Sequence, residues 1–371
     1  MPHDLTLPTD LLPVDGRFGC GPSKVPAEVL AVLSGEGAAL LGTSHRQAPV
    51  KNAVKRLQDG MRSLFGLPDE YEVLIANGGA TAFWEMGAFG LVEQRSQHYV
   101  FGEFSSKFGA STGAAPWLDA PVIVSSTPGT RPALVATPAG VDVVAFTHNE
   151  TSTGVMQDIV RPAGDALVVV DATSGAGGLP VQMTQADVYY FSLQKGFAAD
   201  GGLVIAFASP KAIARMETIA ASDRYIPAFF NLKTVIDNSR KNQTYNTPAI
   251  STILLGMAQV ERMVAAGGLT AAVSDSRAKS DALYSWADAR SWASPFVVDP
   301  AARSLVVGTV DLDDAIDHNI VTQILRANGV VDTEPYRKLG RNQLRVGMFP
   351  AVDIADVQAY TACIDYIVDH L

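Results

Sequence analysis

Cysteine is nearly missing from this chain. Cys20 and Cys363 are the only two among 371 residues and form no C-x-x-C pair, so neither a disulfide framework nor a thiolate zinc site is supported. A reducing compartment suits such a protein, and a cytoplasmic location is expected. Positive charge is also short. The formal net charge is -10, which argues against nucleic acid or an anionic membrane as the main partner. No run approaches the roughly 18 apolar residues of a membrane span. The start, MPHDLTLPTDLLP, lacks the basic-then-apolar order of a secretory signal. Metal, nucleic acid and membrane are all set aside as expected partners.

What the chain has is the make-up of a globular α/β protein. Hydrophobic residues are 47% and charged residues 18%, with 32 Gly and 21 Pro spread throughout, a balance that leaves no disordered tail. At about 150 residues per domain the length suggests two units. Between residues 70 and 210, strand-like runs alternate with turns and helical stretches: YEVLIANGG, HYVFGEFS, APVIVSS, VDVVAFTHNE, ALVVVDATSG, VYYFSLQK and GLVIAFAS. They predict a mainly parallel sheet covered by helices on both faces. After residue 247 the order becomes α+β. A helix over 248–266, with Pro248 in its first turn and Gly267-Gly268 at its end, is followed by a helix over 270–289 and a strand in RSLVVGTVD. A helix over 313–327, a strand in NQLRVGMF and a helix over 353–369 complete it. The expected division is a large unit of 16–256 and a small unit of 257–371 joined by segment 1–15.

Ligands of open α/β sheets bind beyond the carboxyl ends of the strands. Asn77 to Thr81, Phe104, Asn149 to Thr151, Asp171 to Ser174 and Gln194-Lys195 should therefore converge on one pocket. The telling pair is Asp171, ending ALVVVD, and Lys195, ending VYYFSLQK. Pyridoxal 5'-phosphate needs a lysine to form a Schiff base with its aldehyde and a carboxylate beside its pyridine nitrogen. Neighbouring strand ends supply both.

Each residue also has a plainer reading. An isolated lysine is usually a surface group, but Lys195 follows a buried strand and precedes the glycine-containing turn GFAADGG, which turns its amine toward a cavity. Asp171 alone is equally a cap for the ATSGAGG turn. Asn77-Gly-Gly-Ala-Thr81 joins a strand to a helix, where free N–H groups and the helix dipole hold phosphate readily. Ala80 and Thr81 are its candidates, against a turn that simply needs glycine. It is not G-x-G-x-x-G, which disfavours a dinucleotide. Phe104 would stack on a planar ring or fill the core, and Thr151 would bond the cofactor's phenolic oxygen or brace a turn. His45-Arg46 and the cluster Arg337, Lys338, Arg341 and Arg345 suit a substrate with two anionic ends, or a solvated basic face.

The blocks FGCGPSKVP, GTSHRQAPVKN, NGGATAFW, GEFSSKF, HNETSTG, VDATSGAGGLP, QKGFAADGG, KNQTYNTPAI and DTEPYRKLGRNQLRVGMFPAV closely resemble the phosphoserine aminotransferase family in its actinobacterial form. The resemblance covers nearly the whole chain. It implies a class-V, fold-type I enzyme dependent on pyridoxal phosphate, exchanging an amino group between glutamate and 3-phosphohydroxypyruvate in serine biosynthesis. Whether the 4-phosphohydroxy-L-threonine of vitamin B6 biosynthesis is also a substrate stays open at this point. By the same resemblance, Lys195 carries the Schiff base, Asp171 the pyridinium contact, Phe104 the ring stacking and Thr151 the phenolic-oxygen contact. Ala80, Thr81 and Gln194 would hold the phosphate. Asn246 and Thr247 match a segment that reaches the other subunit's cofactor, implying a homodimer with shared sites; read without the family, they are a helix N-cap before Pro248. His45, Arg46 and Arg345 match substrate-anion contacts. The better-known enterobacterial branch has a His-Arg pair and a phosphate-loop arginine where this chain has YRKLGR and Thr81. Which of Arg337, Lys338 and Arg341 grips the substrate phosphate stays open.

Two rivals remain. Ser192-Leu-Gln-Lys195 has the S-x-x-K spacing of penicillin-recognising serine enzymes, without their SDN or KTG partners. Another class-V enzyme would keep the cofactor and change the reaction, although a cysteine desulfurase needs a reactive loop cysteine that neither Cys20 nor Cys363 provides.

Overall fold

The computed structural model describes residues 5–371. Residues 1–4 of the segment assigned to the small unit lie outside the described residues. The strands are β1 (Glu72–Asn77), β2 (Ser96–Val100), β3 (Val122–Ser125), β4 (Val143–Thr147), β5 (Asn149–Glu150), β6 (Val155–Met156), β7 (Leu167–Asp171), β8 (Val188–Ser192), β9 (Leu203–Ala208), β10 (Ala293–Pro295), β11 (Val307–Leu312) and β12 (Gln343–Gly347). The helices are α1 (Ala27–Ser34), α2 (Ala48–Phe65), α3 (Ala80–Gly90), α4 (Glu103–Gly113), α5 (Pro210–Ala220), α6 (Leu232–Ser239), α7 (Ile250–Ala265), α8 (Gly268–Asp288), α9 (His318–Ala327) and α10 (Ile354–Val368).

Seven strands form the main sheet in the order β1-β9-β8-β7-β4-β2-β3. β9 pairs antiparallel with both neighbours, and the other pairs are parallel. β7 and β8 are buried along their whole length, which explains their unbroken apolar runs. Alternation sends Val168, Val170, Tyr189 and Phe191 into one core with α2 and α7. Val169 and Tyr190 go into the opposite core with α3, α5 and α6. Asp171 and Ser192 keep the second phase, so the face that packs α3 also carries the site's polar groups.

A smaller antiparallel sheet, β10-β11-β12, packs with α8, α9 and α10. Leu7 and Phe18 are buried in its core. The expected border at 256–257 falls inside α7. Ile253, Leu254, Met257 and Val260 all pack in the core of the main sheet, and one apolar face keeps the helix in one piece. The helix expected over 313–327 starts only at His318, because Asp317 caps it by accepting from the Asn319 N–H at 2.8 Å. The short strand β10 carried no usable apolar run. No helix among the described residues is long and apolar enough to cross a membrane.

Candidate active site

A cavity of about 310 Å³ opens at the carboxyl ends of the parallel strands. Its wall includes Ala80, Thr81, Phe104, Thr151, Asp171, Gln194 and Lys195, drawn from four different strand-to-turn junctions and the first turn of α4.

Lys195 lies three residues past β8 in a turn, rather than at the strand's end, because β8 stops at Ser192. Its Nζ donates to Thr151 Oγ1 at 3.1 Å and sits 5.3 Å from the centre of the Phe104 ring. Burial pushes its pKa down to about 8, although the negative charge of Asp171 pulls the other way. Gly21 arches over the side chain so closely that a Cβ there would lie 2.5 Å from Lys195 Cε. A larger residue there would push the lysine side chain aside, at a backbone φ of +140° that favours glycine.

Asp171 is almost fully buried. Oδ2 accepts from Trp84 Nε1 at 2.9 Å, and Oδ1 accepts from the Thr173 N–H at 3.0 Å and the Thr173 hydroxyl at 2.6 Å. An ionised carboxylate has about four acceptor sites, so three donors fix its orientation and leave room for one more. Thr151 donates to Ser174 Oγ at 2.8 Å, and Ser174 donates to the Asn149 carbonyl at 3.0 Å. This relay orients the hydroxyl that meets Lys195.

Phe104 is not at the end of a strand. β2 stops at Val100, and Phe104 stands in the first turn of α4. Glu150, wholly buried, holds that turn by accepting from the N–H of Phe104 at 3.1 Å, the N–H of Ser105 at 2.9 Å and the hydroxyls of Ser105 and Ser152 at 2.8 and 2.7 Å. It approaches Gly102 so tightly that a Cβ there would meet Glu150 Cγ at 2.3 Å. At the start of α3, the Ala80 N–H is already taken by Ser192 Oγ at 2.7 Å, and Thr81 and Gln194 complete that wall. Gln194 Oε1 is buried without a partner.

The remaining expected residues lie elsewhere. Arg345 stays beside the cavity, with Nη1 donating to the Thr151 carbonyl at 3.1 Å and a buried, unpartnered Nε. His45, Arg46, Asn246 and Thr247 do not reach this chain's own cavity wall. Arg46 Nη2 instead donates to the Tyr245 carbonyl at 3.2 Å, and Asn77 bonds the Thr247 carbonyl at 3.0 Å. Asn246 and Thr247 are not an N-cap either, since Ala249 holds that position. A larger cavity of about 730 Å³, lined by Arg337, Arg341, Asp314, Asp317 and Glu334 among others, shares none of the first cavity's residues. It contains no lysine or buried carboxylate, so size does not mark the chemistry here. Trp84 carries no sequence signal; Glu150, Thr173 and Ser174 lie within the segments expected to converge but have no role of their own there, and Ser192 enters only through the S-x-x-K spacing. Structure alone pairs them with the residues they hold.

The arrangement fits pyridoxal phosphate: a buried amine, a buried carboxylate with an acceptor site to spare, a ring beside the amine and a helix start nearby. The class-V aminotransferase family model matches residues 133–333, more than half the chain. A phosphoserine aminotransferase of Nocardioides sp. is 58% identical, with 100% of both chains covered. That of Corynebacterium glutamicum is 57% identical, covering 98% of this chain and 97% of its own. A solved phosphoserine aminotransferase from Cytophaga hutchinsonii superposes with a TM-score of 0.88 at 24% identity, covering 95% of this chain and 99% of that one, a likeness of fold. These matches define the class, a pyridoxal-phosphate-dependent aminotransferase of class V. Within it, the chain belongs to the phosphoserine aminotransferase family.

Proposed function

We propose that this chain moves an amino group reversibly between glutamate and 3-phosphohydroxypyruvate, giving 2-oxoglutarate and O-phospho-L-serine for serine biosynthesis. The reading rests on Lys195 and Asp171 facing one cavity in a chain whose relatives are phosphoserine aminotransferases.

When bound, pyridoxal phosphate supplies an aldehyde that joins an amine covalently and a ring that draws electrons away from the substrate's α-carbon. Lys195 contributes the amine that anchors the cofactor. Once freed by the substrate's own amine, it would act as the general base for the α-carbon proton and as the acid that passes that proton on. In the cofactor-free cavity burial lowers that amine's pKa to about 8, which favours the neutral form that joining an aldehyde requires. Asp171 offers its open acceptor site to the ring nitrogen. Phe104 would cover a ring face, Thr151 would meet the phenolic oxygen, and Ala80, Thr81 and Gln194 would surround the phosphate. Arg345 takes the α-carboxylate that both substrates present, and the distal anion is met from the segment that carries Arg337, Lys338 and Arg341. The same two anions occur in 4-phosphohydroxy-L-threonine, so the reading extends to that step of vitamin B6 biosynthesis. The large unit carries the cofactor and runs through α7, while the small unit brings Arg345.

The working form is a homodimer with shared sites. His45, Arg46, Asn246 and Thr247 serve the partner's cavity, which accounts for their absence from their own. Leu41 and Tyr245 in the same region leave apolar surface exposed. Absorbance of the purified holoenzyme tests the activity. The cofactor band should be bleached by glutamate and restored by 3-phosphohydroxypyruvate. A band that ignores both compounds, in a protein carrying the cofactor, refutes the assignment.

A further inference from the structure

A carboxylate adjoining the wall of a cavity meant for anionic substrates is out of place. Glu103 opens α4, one residue before Phe104 on the cavity wall. Its carboxylate pairs with Lys107 at 3.2 Å and with Lys338. Lys338 arrives on the 335–342 segment, where Tyr336 lies 6.2 Å from the Phe104 ring and 5.4 Å from the Arg345 guanidinium. That segment spans the gap between the stacking residue and the arginine beside Thr151.

The three cations that sequence leaves equivalent are not equivalent here. Arg341 is tied to Asp311 by Nε at 3.1 Å and by a second bond from Nη2, and it lies 4.5 Å above the Phe296 ring. Arg337 lines the larger cavity beside Asp314, Asp317 and Glu334. Of the three, Lys338 alone is paired with α4, the element that carries Phe104.

Resting on the function proposed above, we propose that Lys338 is the cation that receives the substrate's distal phosphate, and that Glu103 stands in for that phosphate in the free enzyme. Both partners are at least partly exposed, and such pairs cost little to break. The doubly charged phosphate, with three acceptor oxygens, outbids a single carboxylate for the ammonium. Released, Glu103 keeps Lys107 and is not left unpaired. The γ-carboxylate of glutamate matches Glu103 in charge and gains little by replacing it. The pair therefore favours phosphate over carboxylate at the distal position.

Steady-state kinetics of the holoenzyme with glutamate and 3-phosphohydroxypyruvate, on Lys338→Gln, Glu103→Gln and the double variant, test this. Lys338→Gln should raise KM for 3-phosphohydroxypyruvate about tenfold and change KM for glutamate by less than about twofold. Glu103→Gln should lower KM for 3-phosphohydroxypyruvate about threefold, and only while Lys338 is present. Lys338→Arg should restore most of the loss. Equal changes for both substrates, no change for either, or a Glu103→Gln effect that survives without Lys338 would overturn the proposal. Turnover of this substrate pair by the unaltered chain bears on the function alone, so the two readings fail separately.

Discussion

At the scale of single residues, the account turns on how Lys195 is kept buried. Its pKa of about 8 lies below the 10.5 of a free lysine, with burial as the main cause. In the cofactor-free protein the unfolded chain binds the extra proton between these values, so stability should rise with pH across that window. Below pH 8 the full cost of a buried charge is present. Denaturant melts of cofactor-free wild type and Lys195→Met, at pH 7 and at pH 10, should show the variant's advantage shrinking at the higher pH. An advantage that stays constant, or grows, would mean that the amine is not desolvated. Asp171 illustrates a complementary device. Three donors hold it, and two come from Thr173, which sequence proximity made visible; the third, Trp84, is 87 positions away.

At the scale of elements, the buried strands were legible because both their faces are apolar, and Asp171 and Lys195 stood out against that background. Their ends were less so. HYVFGEFS reads as one strand, yet the chain turns into α4 at Gly102, where Glu150 captures the free amides of a new helix. Pairings between residues 45 positions apart leave no local signal. The same holds for Ser192 at the start of α3 and for Ser174 under Thr151. Glu150→Ala would strand several buried donors at once, at about 1 to 3 kcal/mol for each one left unmade. A fall in the melting temperature should therefore come with weakened cofactor binding, since Phe104 loses its anchor. A melting temperature and cofactor affinity equal to those of wild type would show that the clasp does not hold α4.

At the scale of the molecule, two sheets meet at the turn that arches over Lys195. Ser23 donates its N–H to the Gln194 carbonyl at 2.8 Å, and the buried Lys24 reaches Asp356 of α10 at 3.1 Å. The cavity's rim is thereby fastened to the small sheet's last helix. Sequence alone separated the two sheets but not α7, whose single apolar face crosses the expected border. The sharing of sites between two chains proposed above comes from the family resemblance, because one chain's own residues carry no signal of a second copy. Shared sites make a clean prediction. Lys195→Ala and Arg46→Ala proteins, each inactive or nearly so, should regain activity when unfolded and refolded together, since mixed dimers contain one intact site. No recovery, in mixtures shown to contain mixed dimers, would place Arg46 in its own chain's site, and full activity of Arg46→Ala alone would place it outside both.

The most direct measurement is the position of the cofactor's covalent bond. Reducing the holoenzyme with borohydride and mapping its peptides by mass spectrometry should find the pyridoxyl group on Lys195. A pyridoxyl group on any other lysine, with Lys195 unmodified, would contradict the account.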